Sequence, residues 1–108
     1  ETLADLLSLN QRMITIEQIQ KVTASYYKTR VSDILSSKRD KKNTLPRHVA
    51  MALCKELTNN SLPTIGDMFG GRDHTTVLHA NKKIVKLKKE DSQLAQDINN
   101  IIHILNNG

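Results

Sequence analysis

Residues 70–80 read Gly-Gly-Arg-Asp-His-Thr-Thr-Val-Leu-His-Ala and gather the groups best able to do chemistry. Asp73, His74 and Thr75 place a carboxylate, an imidazole and a hydroxyl side by side. Catalysis would need groups that face one another. Adjacent helical positions diverge by roughly 100°. His74 and His79 are five apart, one beyond the i, i+4 pair that shares a metal on a helix. Recognition asks only for exposure at one place. The glycine pair ends one helical pattern, and Asp73 is expected to cap the next, its carboxylate accepting from first-turn N–H groups. Such a polar helix tip suits a DNA major groove. There a carboxylate accepts from cytosine N4 and repels guanine O6 and N7, the Thr75 methyl meets a thymine methyl, and His74 reaches a base edge. Thr76 and His79 lie farther back, at the level of phosphate oxygens.

The charge pattern supports a polyanionic partner. The chain has 108 residues and a formal net charge of +5. Residues 28–55 carry eight Lys/Arg against two Asp, and residues 72–89 carry six against one Asp. The remaining stretches are all net acidic. Arg39 falls in the basic run Lys38-Arg-Asp-Lys-Lys-Asn43, from which a long cation can reach an adjacent minor groove. Arg47 and His48 are expected to open a helix whose free N–H groups receive a phosphate.

Other classes find little support. Cys54 is the single cysteine, which excludes an internal disulfide, makes a poor zinc site and fits a reducing compartment. No apolar run approaches 18 residues. Gly-Gly-Arg lacks the phosphate-loop pattern and no strand precedes it, so ATP is not expected on this chain. No nucleophile–base or metal-ligand arrangement is visible, so the chain is not expected to be an enzyme.

The elements that must position these residues read as helices throughout. Leu3, Leu6 and Leu7 give residues 2–13 one apolar face. Thr15 and Gln18 form a capping box before a helix with Ile19, Val22 and Tyr26 inward. A short helix is expected near residues 32–37. Thr44 is expected to cap the next helix, with Pro46 in its first turn and Ala50, Leu53, Cys54 and Leu57 on its core face. Pro63 opens a brief helix to Phe69. The helix after the glycine pair runs to about Lys89, with Val77, Ala80, Ile84 and Leu87 inward and Thr75, His79, Lys82 and Lys86 outward. A last helix from about Asp91 buries Leu94, Ile98, Ile101, Ile102 and Leu105. The fold class is all-α, a helical bundle containing a helix-turn-helix.

The run from Gly70 to Ala80, with Ser61-Leu-Pro-Thr-Ile-Gly-Asp67 before it, resembles the signature of the bacterial replication-initiator family DnaA. Ile14–Gln20, Tyr26-Tyr-Lys28, Pro46-Arg47 and Ala50-Met-Ala-Leu53 are similar to that family too. The resemblance implies a Trp repressor-like helix-turn-helix domain over residues 14–108, with residues 1–13 as the end of a connector helix from an upstream ATPase domain. It implies binding to origin boxes with a consensus like TTATCCACA. Residues matching Asp73, His74 and Thr75 would read bases in the major groove, and the one matching Arg39 would enter the minor groove. Those matching Arg47, His48, Lys55, Pro63, Thr76 and His79 would hold the DNA backbone. Many members have Gln or Arg where His48 stands. The resemblance places ATP on the upstream domain, with no cofactor on this chain, and the protein in the cytoplasm on the nucleoid. Double-stranded origin DNA is the expected partner of a monomeric domain. Regulatory proteins, and weak acidic-lipid contact by the first helix, are further expectations. The competing reading is a protein-interaction module with non-specific DNA affinity.

Overall fold

The computed structural model describes residues 14–36 and 41–107, and among them six helices and no strand. The expected connector helix at residues 1–13, its lipid contact, and Arg39 lie outside the described residues. The helices are α1 (Ile16–Tyr26), α2 (Val31–Leu35), α3 (Lys41–Leu57), α4 (Leu62–Met68), α5 (His74–Glu90) and α6 (Ser92–Asn107). None is long and apolar enough to cross a membrane.

The helix starts follow local chemistry. Thr15 accepts from the Gln18 N–H at 3.1 Å while the Gln18 side chain accepts from the Thr15 N–H at 3.2 Å, a complete capping box. Ser61 caps α4 by accepting from Thr64 N–H, with Pro63 in the first turn, where its missing donor costs nothing. Asp91 caps α6, its carboxylate accepting from Gln93 and Leu94 N–H.

The middle helix departs from expectation. It begins at Lys41, not after Thr44, and Pro46 is buried within it. The carbonyl that Pro46 leaves without a partner belongs to exposed Lys42. Residues 49–54 are buried without interruption. Apolar all round over residues 49–54, α3 runs through the centre of the bundle and is not a one-faced surface helix. It packs chiefly on α5, and also on α1, α2 and α4. Ile19, Ile34, Ile65, Phe69, Val77 and Ile98 close on it to form one core.

Polar ties fix the outer helices. The Tyr26 hydroxyl donates to Asp97 at 2.7 Å and accepts from Asn100 at 3.0 Å, fastening α6 to α1. Buried Gln20 donates to the Met68 carbonyl at 2.7 Å, joining α1 to the end of α4.

Helices α4 and α5 form the helix-turn-helix, and Gly66 sets how closely they approach. The Arg72 N–H donates to the Gly66 carbonyl at 2.8 Å. A Cβ on Gly66 would stand 2.0 Å from the Arg72 carbonyl oxygen. Gly70 turns the chain with φ +83°, and a Cβ there would meet the Leu35 carbonyl oxygen at 2.5 Å.

Because backbone blocks the Gly66 methyl, relaxation must separate the two helices. Gly66→Ala is expected to destabilise the domain by about 3 kcal/mol, read as a lower urea midpoint with an unchanged m-value. A loss below about 1 kcal/mol would show that the helices can part freely.

Candidate nucleic-acid interface

The tip of α5 is built differently from the expectation. Asp73 occupies the cap position in extended conformation (φ −67°, ψ 149°), yet its carboxylate makes no capping hydrogen bond. The Asp73 backbone carbonyl instead accepts from Thr76 N–H at 3.0 Å and from Val77 N–H at 3.4 Å. The carboxylate turns to His74, whose Nδ1 lies 3.1 Å from Asp73 Oδ1. The expected divergence of these neighbours therefore fails, because Asp73 stands outside the helix. Both side chains remain open, at 68% and 58% exposure.

The Asp73 carboxylate can only accept hydrogen bonds, and it stands open to solvent beside the His74 ring. Together Asp73 and His74 make an exposed polar tip with a free carboxylate. Thr75, Thr76, His79, Lys82 and Lys86 are exposed along the same helix, while Val77, Ala80 and Ile84 are buried on the other face. The helix thus docks apolar and presents polar, as its spacing predicts.

The remaining expected residues divide. Lys55 and Pro63 are exposed. His48 is half-buried on α3, two turns before Lys55 and so on the same face. Burial lowers the His48 pKa below 6.5, and the positive charges of Lys83, Arg47 and Arg72 lower it further. His48 is consequently a neutral imidazole at pH 7, in a basic neighbourhood to which α5 contributes Lys83.

Arg47 corrects the sequence reading. It is 5% exposed and lies inside α3, where no N-terminal N–H group is free for a phosphate. Its Nε donates to the Ile34 carbonyl at 2.6 Å, and its Nη2 donates to Ser36 at 2.9 Å and Asp33 at 3.3 Å. The guanidinium is engaged with the C-terminal carbonyls of α2. The spacing held a signal: Arg47 is three, four and seven residues from Ala50, Met51 and Cys54, on the core stripe.

Arg72 was counted only as charge. Its Nη1 donates to the carbonyls of Phe69 and Leu35, and its Nη2 to that of Ser36. Two arginines from distant segments thus meet at the end of α2. Cys54 is fully buried, which pushes its thiol up to about 12 and removes it as a nucleophile at neutral pH.

A tight two-helix unit, an exposed polar tip and a basic flank define a helix-turn-helix DNA-binding domain. Residues 16–84, running from α1 through most of α5, match the family model described as the bacterial DnaA protein helix-turn-helix. The chain belongs to this family, and its function is DNA binding in replication initiation, with double-stranded DNA as partner.

Two outcomes follow from the interior placement of these groups. Arg47→Met is expected to cost about 3 kcal/mol, because several carbonyls lose a charged donor, and calorimetry should show the drop in Tm. An unchanged Tm would return Arg47 to the surface. His48 should titrate below 6.5 when followed by NMR. The unfolded chain then takes up the proton first as pH falls. The His48 contribution to stability is complete above pH 6.5 and declines below it, toward the folded-state pKa. His48→Gln should remove that part of the decline, and a midpoint at or above 6.5 would contradict the assignment.

Proposed function

We propose that this domain reads short asymmetric origin boxes, with a consensus like TTATCCACA, by laying the N-terminal end of α5 in the major groove. The observation that carries the reading is the uncapped, exposed Asp73 carboxylate beside His74. An exposed carboxylate favours bases that present amino donors, and cytosine N4 and adenine N6 are the two amino groups of the major groove. The stretch CCACA offers one at every position. Thr75 adds a methyl for a thymine methyl. Arg39 is assigned to the adjacent minor groove. His48, Lys55, Pro63, Thr76 and His79 are assigned to the DNA backbone, with Arg47 left out because it faces inward.

Under this reading the domain acts as a monomer on each box, in the cytoplasm on the nucleoid. ATP belongs to a separate upstream domain, and this chain itself takes no cofactor. Regulatory proteins remain proposed partners of its outer helices.

Fluorescence anisotropy on a TTATCCACA duplex and a base-shuffled control, each across a salt series, tests the proposal. Strong preference for the box, persisting as salt rises, is expected. Asp73→Ala should reduce the preference by about 1–3 kcal/mol. Lys55→Ala should weaken both duplexes alike and make the salt dependence shallower by about one unit. Equal binding of both duplexes that vanishes with salt would leave non-specific attraction alone and favour the protein-interaction reading.

A further inference from the structure

Arg72 stands immediately before the base-reading tip, yet its side chain turns away from it. Its backbone is locked to α4 through the hydrogen bond to the Gly66 carbonyl and the close approach at Gly66. Its guanidinium reaches the Phe69 carbonyl at the end of α4 and the Leu35 and Ser36 carbonyls at the end of α2. Leu35 and Ser36 are 37 and 36 residues distant in sequence, so this one side chain bridges two distant parts of the chain, at the place where the Gly70 backbone also comes close to the Leu35 carbonyl. Ser36 is also where the chain leaves α2 toward the segment containing Arg39.

We propose that Arg72 is a positioning residue that determines specificity: without touching DNA, it holds the tip of α5 in register with the end of α2. The proposal rests on the base-reading role given above to the residues from Asp73 to Thr75. A hydrogen bond to a base edge is directional and weakens steeply when donor and acceptor are misaligned, whereas attraction to phosphate tolerates displacement. Loosening the tip should therefore cost discrimination before it costs affinity. A planar fork of donors holds three carbonyls in fixed geometry, and an ammonium on a flexible stem does not reproduce it. Arg72→Lys accordingly keeps the charge and loses the register.

The test uses the domain at a temperature well below the unfolding midpoint of each variant. Box and shuffled duplexes are titrated across salt with the wild type, Arg72→Lys, Asp73→Ala and the double variant. Arg72→Lys should lower the ratio of box to shuffled affinity by roughly tenfold, leaving the shuffled affinity and its salt slope unchanged. The double variant should lose no more discrimination than the more severe single change, since both act through one tip. An unchanged ratio overturns the proposal, as does an additive double variant. A parallel loss on both duplexes with a shallower salt slope also overturns it, because Arg72 would then be a phosphate ligand. A second measurement does not depend on folding of the variants. The guanidinium NMR signals of wild-type Arg72 should keep their shifts when the box is added, and movement of those signals onto a phosphate contact refutes the assignment. If Asp73→Ala alone leaves discrimination intact, the base-reading role fails first, visibly and separately, and the Arg72 role falls with it.

Discussion

A helix of five residues cannot satisfy its own backbone. Its N–H groups are too few to serve its last carbonyls; Ser36, just past its end, donates its N–H and its hydroxyl to the Asp33 carbonyl. Further donors are imported. Arg47 from α3 donates to Asp33, Ile34 and Ser36, and Arg72 from the helix-turn-helix donates to Leu35 and Ser36. The Ser36 carbonyl accepts from both. Cations at a helix C-terminus also oppose its partial negative charge. The arrangement therefore does more than finish a short helix: at the end of α2 the central helix and the turn before α5 are tied to the same Ser36 carbonyl.

The second constraint is the distance between α4 and α5. Gly66 has no side chain because the Arg72 carbonyl already occupies that space. This closeness determines where the backbone emerges into α5, with Asp73 extended and outside the first turn. An Asp at the cap would ordinarily satisfy free N–H groups with its carboxylate. Here the backbone carbonyl starts the helix, and the carboxylate is left beside His74 and open to solvent. A cap interaction worth about 1 kcal/mol is forgone at the place where the proposed reading of a base calls for a free acceptor. Stability lost at a tip and retained in the core is the pattern expected where local rules yield to recognition.

Much of this was legible from residue types. The Thr15–Gln18 box, the stripes of α5 and α6 and the turn at Gly70 follow from chemistry within a few residues, and the structure reproduces them. What failed was non-local. Pro46 reads as a helix opener, and only the packing of α3 at the centre of the bundle shows the helix beginning a turn earlier. Nothing within the short helix around Gly66 marks the Arg72 carbonyl that crowds it from across the turn. The partners of Arg47 and Arg72 are carbonyls, which every residue has, so no residue type in the sequence marks them. The Asp73–His74 contact depends on a backbone angle at the cap, which spacing does not specify.

The same non-local facts change what the charge means. Counting residues assigns two basic blocks to the polyanion, yet Arg47 in the first and Arg72 in the second are committed to the protein's own carbonyls. His48, beside Lys83, is held neutral by burial and by its basic neighbours. The charge available to a phosphate is therefore smaller than the sequence total and sits at exposed lysines such as Lys55, Lys82 and Lys86. Counterion release scales with phosphates neutralised, not with cations present. The guanidinium groups of Arg47 and Arg72 are engaged with the protein's own carbonyls, and what they contribute there is geometry.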